Sequence, residues 1–118
     1  MTRFVHPAAE DITLAGVLGA LSDPMRLRIF KKLLESRGGS LSCSAAAPCA
    51  EMAKSTLSHH FRVLRDAGLI RTTKQGVENL SCVRWDEVNA RFPGLLKAIM
   101  KFQPLKVCVP SSAKLRST

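Results

Sequence analysis

The sequence predicts a mainly α fold carrying one β-hairpin, an α+β arrangement of about five helices, and three local patterns carry that expectation. Leu57, Phe61 and Leu64 recur at i, i+4 and i+7, with Val63 and Ala67 widening the apolar stripe of a helix that Gly68 stops. The runs from Leu69 to Lys74 and from Val77 to Trp85 are rich in β-branched residues and meet across Gln75-Gly76, a hairpin signature. Asp23-Pro24 sets an N-cap residue before a proline at the first helical position.

Taken in order, the residues from Pro7 to Leu21 read as one apolar helix. A second helix starts at Asp23-Pro24, with Leu27, Phe30, Leu33 and Leu34 as its buried stripe and Arg26, Arg28, Lys31 and Lys32 on its polar side, and it ends at Ser36-Arg37-Gly38-Gly39-Ser40. Leu41 to Met52 should hold a short or irregular helix, because Pro48 cannot sit comfortably inside a regular one. The periodic helix near Lys54 and the hairpin follow. Asp86 then caps a brief helix through Phe92, Pro93-Gly94 breaks it, and Leu95 to Phe102 forms a last apolar helix. Helix, helix, short helix, amphipathic helix, hairpin and final helix is the layout of a winged helix-turn-helix with added terminal helices. Residues 1–105 are expected to form that one domain, and 106–118 a basic, disordered tail.

The chain has 118 residues, room for one domain burying about two thirds of its unfolded surface. Eighteen Lys and Arg against nine Asp and Glu leave a formal charge of +9, an excess that attracts polyanions through counterion release. Nucleic acid is the first expected partner. A membrane surface is disfavoured because the basic residues are spread along the chain and do not line one aromatic-rich amphipathic helix. The apolar run Ile12–Leu21 follows Glu10 and Asp11 where a secretory signal would carry positive charge, and it is too short to span a bilayer. A cytoplasmic protein with reduced thiols is therefore expected.

Leu21-Ser22-Asp23-Pro24-Met25-Arg26-Leu27-Arg28-Ile29-Phe30 together with the stretch from Ser55 to Ile70 resembles the ArsR/SmtB family of bacterial repressors over roughly residues 10 to 103. The resemblance implies a homodimer joined through its first and last helices, bound to double-stranded DNA at a near-palindromic operator. It places the helix beginning near Lys54 in a major groove, with Ser55, Thr56, Ser58, His59 and His60 nearest the bases and Arg62 on the phosphate backbone. The structural alternative is that one of the two histidines meets the groove while the other packs against a neighbouring helix. The hairpin, with Arg71, Lys74 and Gln75 on its first arm and tip, would be a wing reaching for phosphates.

The family's best-known sensing sites are not reproduced. Its metal sensors carry a Cys-x-Cys pair before the reading helix, whereas Cys43 and Cys49 stand apart with Pro48 between them. Asp, His and Glu are also missing from Leu95–Phe102. No metal site and no cofactor are expected. Thiol chemistry at Cys43 and Cys49 is the leading expectation for an effector response, because a disulfide or adduct beside Pro48 could shift the reading helix. A thiolate metal or arsenite sensor, with Cys82 and Cys108 as further ligands, and a basic winged-helix protein without an inducer are the alternatives. The structural alternative makes Cys43 and Cys82 small core residues. An enzyme is excluded: His6, His59 and His60 lie on a terminus and a DNA-facing helix, with no nucleophile elbow, phosphate loop or carboxylate pair. RNA binding is disfavoured because the reading helix offers no exposed aromatic ring.

Overall fold

A computed structural model gives the architecture and describes residues 4–36, 39–48 and 51–101. After a 3-10 turn at Ala9–Asp11, the described elements are α1 (Leu14–Ala20), α2 (Pro24–Glu35), β1 (Leu41–Ser42), α3 (Cys43–Ala46), α4 (Lys54–Asp66), β2 (Ile70–Gln75), β3 (Glu78–Val83), α5 (Trp85–Arg91) and α6 (Leu95–Lys101). The sheet is antiparallel with order β1-β3-β2, so β3 is central. The mainly α winged helix-turn-helix expected from the sequence is the fold observed, with a third strand that the sequence did not announce.

Local chemistry explains most boundaries. The Asp23 carboxylate accepts from the Arg26 N–H at 3.1 Å, and Pro24 occupies the first helical position of α2 as its missing donor allows. The single helix expected from Pro7 to Leu21 is instead a 3-10 turn and α1, because the Thr13 hydroxyl accepts from the Gly16 N–H at 3.0 Å and starts the helix at Leu14. The cap expected at Asp86 falls at Arg84, and α5 begins at Trp85, two residues earlier than a cap at Asp86 implies. The two-residue turn of the hairpin is Gly76-Val77, one step beyond the expected Gln75-Gly76, and Gly76 takes a left-handed φ of +62° there. The expected tail of residues 106–118 lies outside the described residues.

The core gathers Ile29, Phe30, Leu33 and Leu34 of α2, Leu57, Phe61 and Leu64 of α4, Leu69 and Ile70 at the entry to the wing, and Val88 and Leu96 of the last two helices. Removal of each large side chain from water contributes about 1.5 to 3 kcal/mol, so the inward stripe of α4 alone fixes that helix firmly. Leu27, expected in the α2 stripe, is only partly buried, and Ile29 takes the inner place. Lys31, expected on the polar face, is 5% exposed and donates from Nζ to the Met100 carbonyl at 2.8 Å, tying α2 to α6. Along β2 the burial alternates from Ile70 to Thr73, and the buried Thr72 hydroxyl meets that of its register partner Ser81 at 2.8 Å.

Gly68 closes α4 at φ +86°, a conformation that L side chains rarely adopt. A Cβ there would also run into the Ile12 side chain, which is 1% exposed. The glycine therefore stops the helix and lets the segment before α1 press against its end.

Candidate nucleic-acid interface

The two sides of α4 have opposite chemistry because its apolar residues follow the helical period and its polar ones fill the gaps. Lys54, Ser55, Thr56, Ser58, His59 and Arg62 are all exposed, while Leu57, His60, Phe61 and Leu64 are buried. Hydroxyls, an imidazole and two cationic ends thus share one outward face, a donor and acceptor set that matches base edges and phosphates. His60 is the exception among the expected base-reading residues. It is 6% exposed, and its Nδ1 accepts from Arg26 Nη1 at 3.2 Å, so the ring packs inward.

Arg26 is the residue whose importance sequence reasoning missed. Its backbone N–H is capped by Asp23, its Nε donates to the Ala20 carbonyl at 2.5 Å, and its guanidinium reaches His60. One side chain thereby joins the end of α1, the start of α2 and the middle of α4. Because guanidinium can only donate, His60 Nδ1 must accept, which places the ring proton on Nε2. Burial lowers the His60 pKa from its ordinary value, and the Arg26 and His59 charges lower it further against the opposing pull of Asp23.

On the wing, Arg71, Lys74 and Gln75 are exposed on β2, and Val77 at the turn is 96% exposed. Lys74 and Gln75 stand close to the tip, beside a residue with no packing role. Arg71 is held back toward the base of the wing, where it meets Glu87 of α5 at 3.3 Å. The same Glu87 oxygen accepts from Arg84 Nε at 2.5 Å, and that hydrogen bond, aided by the Arg84 and Arg71 charges against the opposing effect of burial, holds its carboxyl below the usual range.

A second missed feature is the segment before the 3-10 turn, which straps across the wing. His6 Nε2 accepts from the Thr72 N–H at 3.0 Å, Pro7 offers its carbonyl to Arg84 Nη1 at 2.8 Å, and the Arg65 guanidinium lies 4.6 Å from the centre of the Phe4 ring. His6, expected on a loose terminus, is fixed to the edge of β2. Burial and then the charges of Arg71, Arg65 and Arg84 lower its pKa, which favours the neutral ring that can accept.

The thiols are less suggestive than the helix. Cys43 is half-buried at the start of α3, and burial pushes its thiol pKa up, so it is held as a neutral thiol. Cys82 is half-buried in β3, whereas Cys49 and Cys108 lie outside the described residues. Among the described residues, no three His, Cys, Asp or Glu gather in a geometry that could hold a metal ion, and no helix is long and apolar enough to cross a membrane.

Known proteins share this arrangement. A helix-turn-helix domain family profile matches residues 21–73, the span from the end of α1 into β2. An uncharacterised HTH-type transcriptional regulator of Bacillus subtilis, YceK, is 35% identical over 91 residues, 77% of this chain and 90% of that protein. A crystal structure of an ArsR family transcriptional regulator superposes with a TM-score of 0.58 at 29% identity, over 72% of this chain and 90% of the other. The transcriptional repressor BigR of Xylella fastidiosa gives 0.57 at 25% identity, over 75% and 83%. These relatives are regulators of transcription and not enzymes, and with its capped α2, its polar α4 face and its hairpin wing the chain belongs to the DNA-binding winged helix-turn-helix regulators of the ArsR type.

Proposed function

We propose that this regulator is a homodimeric repressor that reads a near-palindromic operator, and that the outward face of α4 is what reads it. The observation that carries the proposal is the exposure of Ser55, Thr56, Ser58 and His59 on one side of a helix whose other side is buried in the core. In a major groove these four groups face base edges, Lys54 and Arg62 meet the flanking phosphates, and Lys74 and Gln75 of the wing extend the backbone contact, with Arg71 joining them when it leaves Glu87. His60 supports the helix from behind and does not touch DNA. The dimer is supported by α1, where Leu14 and Leu18 are 48% and 51% exposed one turn apart and present an apolar stripe to a second copy.

For the effector, thiol oxidation at Cys43 and Cys49 stays the reading of choice. Burial keeps Cys43 a neutral thiol, which suits the resolving role, and the attack on peroxide is assigned to Cys49. Its thiolate attacks one peroxide oxygen, the O–O bond breaks, and a sulfenic acid forms with release of hydroxide; the Cys43 thiol then attacks the sulfenic sulfur and closes the disulfide with loss of water.

The test is fluorescence anisotropy on the operator selected from a random duplex library. His59→Ala with Ser58→Ala should cost about 1 to 3 kcal/mol on the selected site and leave random DNA nearly unaffected. Equal loss on both kinds of DNA removes base reading by α4. The same assay with peroxide and then reductant should show release and recovery in the wild type but not in Cys49→Ser. An unchanged response in that variant removes the thiol reading.

A further inference from the structure

At the base of the wing, where β3 leads into α5, a groove of about 590 Å³ is lined by the continuous segment from Cys82 to Glu87 and by Arg71 from β2. Its volume falls in the range of small-molecule sites. The walls differ in kind: Val83 and the indole of Trp85 are apolar and half-buried, Arg71 is an exposed cation, and Glu87 sits between the guanidinium groups of Arg71 and Arg84. Arg84 is not available to a ligand, since its side chain is only 2% exposed and is already committed to Glu87 and to the Pro7 carbonyl. Arg71 is. Its link to Glu87 is a solvent-exposed pair at 3.3 Å, the kind of contact that contributes little and exchanges readily.

Both arginines share one oxygen, Glu87 Oε1, which leaves the groove one positive charge beyond what that carboxylate balances; the exposed Asp86 offsets it only at the rim. From this we infer that the groove is an effector site for a small aromatic monoanion, its flat apolar part against Trp85 and Val83 and its carboxylate or sulfonate on Arg71. Arg71 belongs to the wing, so an anion seated there keeps its guanidinium at the base of β2 and away from phosphate. Occupancy and operator binding therefore oppose one another. This consequence rests on the reading of the wing as a DNA contact; the binding site itself does not.

Trp85 is the only tryptophan in the sequence, which makes the test direct. The probe is 8-anilinonaphthalene-1-sulfonate, an aromatic monoanion that accepts tryptophan emission, compared with N-phenyl-1-naphthylamine, the same ring system without the charge. The sulfonate should quench Trp85 and bind about tenfold more tightly than the neutral compound. Arg71→Gln should abolish that preference while leaving binding of the neutral compound unchanged. Glu87→Gln, which keeps an oxygen for Arg84 but frees Arg71, should tighten the sulfonate by roughly threefold. Equal binding of the two probes, or a folded Arg71→Gln protein that binds the sulfonate as the wild type does, overturns the site. In a second arm, the sulfonate should release operator from the wild type and not from Arg71→Gln. If it binds through Arg71 yet operator stays bound, the effector role is overturned. If the protein binds no operator at all but retains the sulfonate preference, it is the DNA reading that has failed and the anion site stands.

Discussion

The outward faces of α1 and α4 are both exposed, yet one is apolar and the other is polar and basic. On α1, Leu14 and Leu18 project into solvent a turn apart, with Ala15 and Gly19 also exposed; on α4 the exposed positions are Lys54, Ser55, Thr56, Ser58, His59 and Arg62. Water tolerates the second face at no cost and the first only at the cost of about 25 cal/mol per Å² of apolar surface left uncovered. The helices therefore call for different partners. A second protein chain suits α1 and a polyanion suits α4, and the packed body between them carries the mechanical link from Ala20 through Arg26 to His60.

Breaking the α1 face should produce the largest effect. Leu18→Asp puts a charge in the proposed apolar interface, where burial without a partner costs several kcal/mol. Since Leu18 is half-exposed in the single chain, folding should survive by circular dichroism while sedimentation equilibrium shows a monomer and operator affinity falls by on the order of a hundredfold through loss of the second half-site. A variant that stays dimeric and binds normally would falsify the assignment of α1 to the interface.

The α4 face depends on how the helix is stopped and braced, and Gly68 tests that dependence next. Gly68→Ala must place a Cβ at a left-handed φ of +86° and against Ile12, so its expected cost is about 2 to 4 kcal/mol, read as a lower urea midpoint. Ile12→Ala should recover part of the loss in the double variant, because it removes Cγ1 and Cδ1, the two side-chain atoms nearest the new methyl. If no recovery is seen, the backbone conformation alone sets the cost.

These two faces were unequally legible in the sequence. The α4 face followed from the period of Leu57, Phe61 and Leu64, and the wing from its β-branched runs, because both patterns are local and repeat several times within one element. The boundary of α1 did not follow, since Thr13 can act as a cap only when the chain before it is extended, and that depends on Ile12 being buried against Gly68. Strand β1 was invisible for a similar reason: two residues have no pattern, and Leu41 and Ser42 are a strand only through pairing with Ser81 and Leu80. The roles of the two adjacent histidines were the subtlest case. A shift of 100° around a helix separates exposed His59 from buried His60, and what makes the buried position tolerable is Arg26, 34 residues earlier in the chain. His6 bonded to Thr72 lies 66 residues from its partner, beyond any local signal.

Those two histidines give the smallest effect and the sharpest test of how the α4 face is held from behind. Both His6 and His60 have pKa values lowered from the ordinary 6.5, and both accept a hydrogen bond that the charged ring could not accept. In the unfolded chain each ring takes up a proton as the pH falls through 6.5, while in the folded protein uptake is delayed to lower pH. The unfolded state therefore binds more protons in that window, and stability falls with it. The urea midpoint should be flat above pH 7 and should drop between about pH 6.5 and 5.5, a window above the ordinary carboxylate range. His6→Gln, whose amide oxygen can still accept from the Thr72 N–H, should remove part of the slope without lowering the midpoint much at pH 7.5. Arg26→Gln should also flatten the slope, because without the guanidinium His60 keeps the Asp23 charge but loses a repulsive cation, so its pKa rises toward the unfolded value. A midpoint that does not vary from pH 7.5 to 5.5 in the wild type would mean that neither ring is held neutral by its fold, and that the brace behind α4 does not depend on protonation.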